Sequence, residues 1–498
     1  MNITEDQMKR IVEDFIAVCL EVAKDAHEFI GTHELDARKY DIHRYPILFT
    51  EIFYDERYMN AEQRGEIPFL KYNIPKYEVQ PYQYPKDKKC YSMIFESYPA
   101  DHINIEQYKK IEEIRKWINS EPEVLKAFTD KKELSEYSMR EIVISIVKRY
   151  LYTTNATESI PDDLEEKIKV YVIKKLSFFL SDTLYFDIGI PICLVTFHRD
   201  TIKLDDNVEI VRISDDLQKA RQVLCKYEVG AENWLAACAT HMIVLHNYNF
   251  AKTEGESFDY VTQNYNAYPL QIIDDIVGII RVVTGYEIGY EQMFCMPIYW
   301  MYRTVADLQE LYGARTHFVN SKFVDTDWAR LPVSYATDNQ CDEIISCYKQ
   351  YQDNAKQLRF PLMRFNRCML RDQIDDMTTD ACIGLESLLA GGTHGEISST
   401  IASRMPIVLS KGLKSDYAPD KSRTYMKKIY NLRSRIVHGD KLREKDIYIA
   451  EGKNRVDIRK AAVDFLRLTL SFMIKNPEYL DVQNIDRYID TLIAEHSV

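Results

Sequence analysis

The sequence predicts a mainly α-helical protein with a small β component in its N-terminal region and an antiparallel helical bundle at its C-terminus. Three observations lead to this fold class. Apolar residues recur at helical spacing along most of the chain. Residues 188–213 instead carry β-branched and alternating apolar residues, which are typical of strands. Beyond Pro332 the helical pattern is nearly continuous and is interrupted only by short turn signals, which predict helices packed side by side.

The N-terminal region opens with a predicted helix over residues 3–30, in which apolar residues such as Ile11, Phe15 and Val18 recur near helical spacing. Residues 65–100 are rich in Pro and Tyr and predict irregular or short-strand structure. The remaining predicted elements are helices over residues 105–153 and 163–182, a hairpin or strand pair over 188–213, a polar loop over 251–268 and a helix over 269–284.

The C-terminal region is predicted to be a bundle whose helices are joined by short turns. The predicted helices cover residues 338–356, 357–371, 374–390, 396–410, 420–438, 455–475 and 484–495. The predicted domains are an N-terminal mixed α/β region, residues 1–334, and a helical bundle, residues 335–498. The N-terminal region is either one unit or two subdomains divided near residue 183 or within residues 251–268.

Composition limits the class of protein. The chain is 46% hydrophobic and 28% charged, as globular proteins are. No apolar run reaches the ~20 residues of a membrane helix, and residues 1–10 open with acids rather than a signal sequence. The ten cysteines include no Cys-x-x-Cys pair, which favours reduced thiols over disulfides or zinc. We therefore expect a cytoplasmic protein without a membrane segment, a bound metal or a cofactor.

Several familiar motifs are incomplete in this sequence. Residues 198–200 resemble the catalytic loop of protein kinases, but Asp205 stands where that loop has Asn, and no Gly-rich phosphate loop is present. No Walker A sequence occurs either. His241 and His246 lie in an apolar stretch without the His-Glu-x-x-His order of zinc proteases. We expect both histidines to be buried and hydrogen-bonded.

Residues 401–446 form a basic island, the name used below for this segment. It holds 12 Lys or Arg against 5 Asp or Glu, a net charge of +7 in a chain of net charge −13. A basic segment on an acidic body is the expected footprint of a polyanion-binding protein, because Lys and Arg that meet phosphates release condensed counterions. A solvated helix face is the alternative, and for a charge run considered alone it is the preferred one.

One predicted helix of the basic island ends at Gly439. Its apolar stripe, which faces the bundle core, is Tyr425, Ile429, Leu432 and Ile436. The polar residues gathered on the opposite side are Asn431, Ser434, Arg435 and His438. Arg433 is rotated about 140° from His438 on a regular helix. To bring such residues to one atom, either the last turn unwinds, or a second copy of the helix supplies another arginine across a dimer interface.

These residue types suit the cleavage of RNA without a metal. Attack of a ribose 2′-OH on the adjacent phosphorus requires a proton acceptor, a proton donor for the leaving oxygen and positive charge near the phosphorane. Histidine titrates near neutrality and serves as acid or base, and arginine binds phosphate oxygens in a bidentate fork. Considered alone, however, an arginine and a histidine near a helix end are more often structural.

The Arg433-x4-His438 spacing, closed by residues 436–439, resembles the Arg-x(4–6)-His motif of HEPN domains, specifically their Apea-like branch. Residues 381–389 and 401–404 are similar to other helices of that family, and the resemblance covers roughly residues 340–475. It implies a HEPN-like bundle. It also implies a metal-independent endoribonuclease that dimerises, so that two copies of the motif form one composite cleft.

The resemblance assigns roles to individual residues. It implies that Arg433 contacts the phosphate in the transition state and that His438 is the general acid and base. The residue after the motif arginine is often Asn, Asp or His in the family, whereas here it is Ser434. Arg435 is the alternative phosphate contact, and Glu386 either orients the basic cluster or forms an ordinary salt bridge. The RNA-binding or supporting residues are thus Ser434, Arg435, Asn431 and Glu386.

In the bacterial proteins that the chain resembles, a C-terminal HEPN effector acts in anti-phage defence, where damage to host RNA halts infection. The implied partners are RNA, with tRNA or another host RNA as substrate, a second copy of the chain, and a phage-encoded trigger. The implied role of residues 1–334 is to sense the trigger or restrain the nuclease. The alternative function is a catalytically silent HEPN module that binds RNA or a protein.

Overall fold

The computed structural model of the chain describes residues 3–36, 88–96, 101–228, 239–253, 257–304, 306–316, 334–371, 373–391, 397–412, 417–451 and 454–496. It is mainly helical, with an antiparallel sheet in the N-terminal half and a helix bundle in the C-terminal region, which confirms the predicted fold class at this level. The segment 65–100, predicted to be irregular, lies largely outside the described residues. Of the helices in the described ranges, none combines the length and apolar character that crossing a bilayer requires.

Within the residues that the structure describes, five α-helices precede the sheet. They are α1 (Glu5–Thr32), α2 (Lys109–Ser120), α3 (Pro122–Phe128), α4 (Glu136–Thr154) and α5 (Leu164–Leu180). The first begins at a capping box, in which the Gln7 N–H donates to Thr4 Oγ1 at 3.3 Å and the Thr4 N–H donates to Gln7 Oε1 at 2.9 Å. The helices predicted over residues 3–30, 105–153 and 163–182 are therefore confirmed, with the second divided into three.

The sheet follows, with short helices between its strands. The elements are β1 (Thr183–Cys193), β2 (Val195–Phe197), β3 (Thr201–Lys203), β4 (Val208–Arg212), α6 (Asp215–Glu228), β5 (His241–Ala251), α7 (Phe258–Thr262), α8 (Leu270–Thr284), β6 (Gly289–Tyr290), β7 (Gln292–Pro297) and β8 (Tyr312–Thr316). The strand order is β3-β4-β5-β1-β7-β8, with β6 paired to β1, and every pair is antiparallel. Strand β2 lies outside this sheet.

The sheet has more strands than the predicted hairpin or strand pair over residues 188–213. Strand β5 shows why the sequence pattern missed part of it. Ile243 and Leu245 belong to the core on one face of the sheet, whereas Met242 and Val244 belong to the core on the other. A strand buried on both faces is a continuous apolar run without alternation, which the sequence does not distinguish from a buried helix.

Helices cover both faces of the sheet. Helices α1 to α5 pack on one face, and α8 with the C-terminal helices packs on the other. Gly189 of β1 permits this packing, because a Cβ atom built on it would lie 2.5 Å from the ring of Phe294. The aromatic ring thus fills the space that a side chain at position 189 would need.

The C-terminal region contains the bundle and one small hairpin. Its elements are β9 (Ser334–Ala336), α9 (Asp338–Leu370), α10 (Ile374–Leu389), α11 (Ile397–Lys411), α12 (Ser422–Val437), α13 (Glu444–Ile447), β10 (Tyr448–Glu451), β11 (Asn454–Asp457), α14 (Ile458–Lys475) and α15 (Gln483–His496). Strand β9 pairs with β2 in parallel, and β10 pairs with β11. The helices predicted over 338–356 and 357–371 correspond to the two arms of α9, which meet at a kink where Asn354 leaves the helical conformation (φ −123°, ψ 16°). The hairpin β10–β11 is not predicted by the sequence.

Helix α9 belongs to the sheet and to the bundle at once. Near its start, Arg199 Nη1 lies 2.7 Å from Oδ1 of Asp342, and farther along the Tyr348 hydroxyl donates to Asp205 Oδ2 at 3.0 Å. Its later turns pack against α10 and α14. One apolar core therefore runs without a break from the sheet through α8 and α9 into the bundle. The division of the chain at residue 334 stays a prediction.

His246 of β5 lies between two carboxylates. Its Nδ1 is 2.9 Å from Asp187 Oδ2, and its Nε2 is 3.1 Å from Glu209 Oε1. Burial lowers the pKa of His246, but its hydrogen bonds to Asp187 and Glu209 and their charges outweigh burial and raise this pKa above its ordinary value of 6.5. His246 is only half-buried, so the prediction of a buried histidine is wrong here. His246 lies in the middle of β5, where the buried residues 241–245 are followed by alternating half-buried and exposed positions.

We expect the stability that His246 contributes to depend on pH. A pKa that is higher in the folded than in the unfolded chain stabilises the fold fully below the unfolded value of about 6.5, and this stabilisation is lost as pH rises through the folded value. The free energy of unfolding in urea should therefore fall more on His246→Gln substitution at about pH 6 than at about pH 8. His102→Gln, at an exposed position, is the control. An equal loss at both pH values would contradict this account.

Candidate functional site

Helix α12 presents one apolar side to the bundle. Tyr425, Ile429 and Leu432 are buried, and Ile436 packs, half-buried, against the same core. The ring centroids of Tyr425 and Phe465 of α14 lie 5.9 Å apart. The predicted apolar stripe is therefore confirmed. This packing determines which residues of the helix face outward.

The outward side of α12 carries the exposed stripe, defined here as Arg423, Lys427, Asn431, Ser434 and His438, all of which are exposed. At about 100° per residue, these positions fall within roughly 80° of one another around the helix axis. They extend over about 22 Å at a rise of about 1.5 Å per residue. Arg423 and Lys427 make no ion pair with any described residue. The stripe thus begins with two available cations and ends at an imidazole.

The helix stays wound to its end. The N–H groups of Gly439 and Asp440 donate to the carbonyls of Ile436 and Arg435 at 3.0 and 2.9 Å, and the His438 N–H donates to the carbonyl four residues earlier at 3.1 Å. Gly439 has a φ of 70°, in the left-handed region that glycine enters without steric cost. The last turn therefore does not unwind, and the first of the two arrangements considered for Arg433 and His438 is wrong. The glycine closes the helix directly after the exposed imidazole.

Arg433 lies on another side of the helix, toward α10. Its Nη1 is 3.9 Å from Oε1 of Glu386, with the two side chains 35% and 25% exposed. Its buried Nε has no hydrogen-bond partner among the described residues, and Tyr430 lies close enough for the charge of Arg433 to affect its pKa. Burial raises the pKa of Tyr430, and Cys382 and Glu386 raise it further while Arg433 opposes them. Arg433 is thus held in a polar cluster whose hydrogen-bonding capacity is only partly used.

Two members of this cluster were missed by sequence reasoning. Cys382 is buried, and burial raises its pKa to about 12, while Arg433 opposes the shift. Cys382 lies four residues before Glu386 on α10, and Tyr430 lies three before Arg433 on α12. Such spacings place residues on the same side of a helix. The spacing was therefore a usable signal for both residues.

Arg435 is held by the segment that follows Gly439. Its Nη1 lies 2.5 Å from Asp446 Oδ2, its Nε lies 3.5 Å from Asp440 Oδ2, and its Nη2 donates to the carbonyl of Lys441 at 3.1 Å. Burial acts to raise the pKa of Asp446, but hydrogen bonds from Arg443 and the charges of Arg443 and Arg435 outweigh it and lower that pKa. Arg435 therefore fixes the chain beyond the helix. Asp446 is 11 residues away, a separation that no helical spacing predicts.

The structure brings some of the predicted site residues together and keeps others apart. Glu386 reaches Arg433 across the contact of α10 with α12. Ser434, Asn431 and His438 share the exposed stripe. Within the described ranges, the His438 side chain makes no hydrogen bond or ion pair. In a single chain, the half-buried Arg433 therefore lies on one side of α12, and the exposed imidazole of His438 lies on another side.

Arg404 of the basic island has a structural position. It is 3% exposed, and its Nε and Nη2 donate to the two carboxylate oxygens of Asp486 at 2.8 and 2.5 Å. Its Nη1 donates to the carbonyls of Leu389 and Ala390 at the end of α10, at 2.5 and 3.2 Å. Arg404 therefore joins the end of α10 to α15 and is unavailable to an external anion.

We expect Arg404→Met to lower the free energy of unfolding by about 2–4 kcal/mol, because it leaves buried carbonyls and a carboxylate without their donor. Urea denaturation measures the change. Arg423→Met, at an exposed position of α12, is the matched control and should shift stability by no more than about 0.5 kcal/mol. Similar losses in the two variants would show that Arg404 does not stabilise the bundle in this way.

The histidine motifs of the N-terminal region have structural partners. His241 is buried, its Nε2 lies 3.2 Å from the carbonyl of Arg199, and burial lowers its pKa to about 4. This confirms the prediction of a buried, hydrogen-bonded histidine. Arg199, in the kinase-like tripeptide, binds Asp338 and Asp342 of α9. Residues 198–200 therefore attach the sheet to α9.

Two further findings bear on how the site is interpreted. In the parts of the chain that the structure describes, no three His, Cys, Asp or Glu side chains are grouped as the ligands of a metal ion would be. No protein-family model, curated protein or solved structure was found to match the chain. The HEPN assignment and the ribonuclease function therefore stay predictions, which depend on the residues themselves.

Proposed function

We propose that the chain is a metal-independent endoribonuclease of the HEPN type, which acts as a homodimer with His438 as general acid and base and Arg433 as phosphate contact. One observation carries the proposal. The exposed stripe of α12 leads from Arg423 and Lys427 to an imidazole that no described residue engages. Exposed cations along a helix attract the phosphates of a nucleic acid. The imidazole of His438 lies at the end of the exposed stripe that carries these cations.

The chemistry of 2′-OH attack matches these groups. A neutral imidazole takes a proton from the 2′-OH, and a protonated imidazole supplies a proton to the leaving 5′ oxygen. A guanidinium binds the non-bridging oxygens of the phosphorane and stabilises their growing charge. The Arg433 side chain is 35% exposed, and its Nη1 lies 3.9 Å from Glu386 rather than in a close ion pair. The exposed part of the guanidinium therefore has capacity for a phosphate oxygen next to Glu386.

The separation of Arg433 from His438 supports a composite site. On one copy of α12, the arginine lies against α10 and the histidine lies on the exposed stripe. A second copy related by a two-fold axis presents the same surface in reverse, so that the arginine of one chain meets the histidine of the other. In this proposal Ser434 and Asn431 line the cleft. Arg435 stabilises its edge through Asp446.

We place this activity in the defence of a bacterium against phage, by abortive infection. The substrate would be a host RNA, such as tRNA, and residues 1–334 would respond to a phage-encoded trigger. Expression of the wild-type chain in a bacterial host should lower the plating efficiency of some phages, and His438→Ala should restore it. Equal protection by both chains would separate defence from RNA cleavage and contradict this part of the proposal.

The reaction class is tested directly with purified full-length chain. Total RNA is incubated with the protein in EDTA, and the fragment ends are identified. We expect 2′,3′-cyclic phosphate and 5′-hydroxyl ends, because 2′-OH attack expels the 5′ oxygen. Intact RNA with the wild-type chain, or cleavage that EDTA abolishes, would contradict the proposal. His438→Ala in parallel excludes a contaminating nuclease, which the substitution would not affect.

A second candidate function is a catalytically silent HEPN module that binds RNA. The contacts of the arginines favour it, because Arg433 lies near Glu386 and Arg435 is bound by Asp446 in the same chain. Guanidinium groups neutralised in this way bind phosphate less readily. This candidate predicts binding of RNA that is weakened by loss of Arg423 and Lys427, together with intact RNA after incubation.

A further inference from the structure

A cavity of about 650 Å³ lies in the N-terminal helical region, away from the basic island. Its walls come from the end of α3, the loop and first turns of α4, helix α5 and residues 302–304. Volumes of about 300–1,000 Å³ are typical of sites for small molecules. Its lining combines aromatic rings with several charged side chains.

Lys175 of α5 is the most informative lining residue. It is 3% exposed, and its ammonium donates one hydrogen bond, to the carbonyl of Tyr302. An ammonium has three N–H donors. Two therefore have no hydrogen-bond acceptor within the described part of the chain. Burial lowers the pKa of Lys175 to about 8, while Glu310 and Glu141 oppose the shift, so a bound anion would favour its charged form.

The lining carries four cationic side chains and two carboxylates. Besides Lys175, the cations are Lys131, Lys148 and Arg303, and the carboxylates are Glu133 and Glu141. Arg303 is paired with Asp259, and Lys148 lies 4.0 Å from Glu96. Neither Lys131 nor Lys175 makes an ion pair with a described residue, although the charge of the nearby Glu310 acts on Lys175. These two cations therefore remain for an anionic occupant.

Aromatic rings form the remainder of the binding surface. Phe128 and Phe179 stack with centroids 4.8 Å apart, and Tyr302 lies at 6.1 Å from Phe179. Lys175 Nζ lies 4.7 Å from the centroid of the Tyr302 ring, so the cation and the aromatic faces are adjacent. Tyr137, which is 73% exposed, adds a ring that also lines the cavity. The Tyr302 ring also stacks on Phe178, with centroids 4.3 Å apart, so the faces of Phe179 and Tyr302 are largely occupied within the protein. A planar ligand would therefore pack against Tyr137 and the exposed part of Tyr302, a residue that is 37% exposed.

We infer that this cavity binds a small molecule that combines an anionic group with a planar ring. The anionic group accepts hydrogen bonds from the two available N–H groups of Lys175 and from Lys148, which also lines the cavity. The ring packs against Tyr137 and the exposed part of Tyr302. The inference is independent of the proposed ribonuclease function, because none of these residues belongs to the bundle.

Isothermal titration of the full-length chain tests the inference with probes of two kinds. The four nucleoside monophosphates supply a phosphate, and indole-3-acetate supplies a carboxylate. We expect at least one of them to bind with a Kd below about 1 mM, and its uncharged counterpart, the nucleoside or indole-3-acetamide, to bind about tenfold or more weakly. The kind of probe that binds distinguishes a phosphate from a carboxylate ligand. Weaker binding by every probe, or equal binding of the uncharged counterparts, would overturn the inference.

Variants locate the binding site. Lys175→Met should weaken binding of the successful probe about tenfold or more, because it removes the buried cation. Lys148→Met should also weaken binding of that probe. Because Lys148 is only half-buried, this variant does not require the replacement of a fully buried side chain. Lys169→Met, an exposed lysine of α5 outside the cavity, should bind as the wild type does. Unchanged affinity in both cavity variants, with thermal melting like that of the wild type, would overturn the assignment of this cavity.

Discussion

His438→Ala is expected to reduce RNA cleavage by about 10²–10⁴-fold, the contribution of a general acid or base. The reason is geometric. His438 is exposed at the end of α12 and has no hydrogen bond or ion pair to any described residue, so its imidazole is free to reach a bound RNA. The rate is measured on a labelled RNA with chemically defined ends, under single-turnover conditions that separate chemistry from product release.

Because His438 is exposed, its replacement by alanine should leave the stability of the fold nearly unchanged. Removal of a side chain without partners should change the free energy of unfolding by no more than about 0.5 kcal/mol. His102→Ala, at another exposed histidine, should cleave RNA as the wild type does. A His438→Ala chain that cleaves at the wild-type rate would exclude His438 as acid and base. A chain that loses activity together with stability would instead indicate a structural role.

Mixing two inactive variants is the second experiment with a large expected effect. Arg433→Ala and His438→Ala homodimers should each be inactive, whereas a mixture that exchanges subunits should recover about a quarter of the wild-type activity. Half of the dimers in the mixture contain one chain of each kind. In these mixed dimers, one of the two symmetry-related Arg433–His438 pairs in the composite cleft is intact, with its arginine from one chain and its histidine from the other. The rate is measured after co-refolding equal amounts of the two chains.

This result would arise only from a site shared between chains. If Arg433 and His438 of the same chain formed each site, no mixed dimer would contain an intact pair, and activity would not return. Repeating the mixture with Arg435→Ala in place of Arg433→Ala identifies the arginine that contacts the phosphate. A monomer in sedimentation at concentrations where the wild type cleaves RNA would contradict the composite site altogether.

The sequence was informative where one physical rule governs the structure. Helical periodicity predicted residues 420–438 as a helix, and α12 is Ser422–Val437, because a single buried stripe determines its orientation. The same rule failed for the sheet. Residues 241–245 of strand β5 are buried on both faces, so this part of the strand shows no alternation, and the partners of a strand depend on chain segments far away in sequence.

The sequence likewise predicted some features of the candidate site and missed others. The exposed position of Ser434, Asn431 and His438 follows from helical rotation and was predictable. The contacts of the arginines were not, because they depend on the packing of α10 against α12 and on the course of the chain after Gly439. Glu386 and Asp446 reach their arginines through those tertiary arrangements. These contacts cannot be inferred from the spacing of residues in the sequence.

Helix α9 has a consequence for how the molecule unfolds. Its side chains contribute to the core against the sheet and to the core of the bundle. If the sheet or the bundle unfolded alone, apolar side chains of the other would also become exposed to water. The free-energy cost of exposing both sets of side chains therefore opposes the separate unfolding of either one. We therefore expect the sheet and the bundle to unfold as one cooperative unit. The amide protons of α8, α9 and α14 should then show similar protection against exchange with solvent, although these helices lie far apart in the sequence.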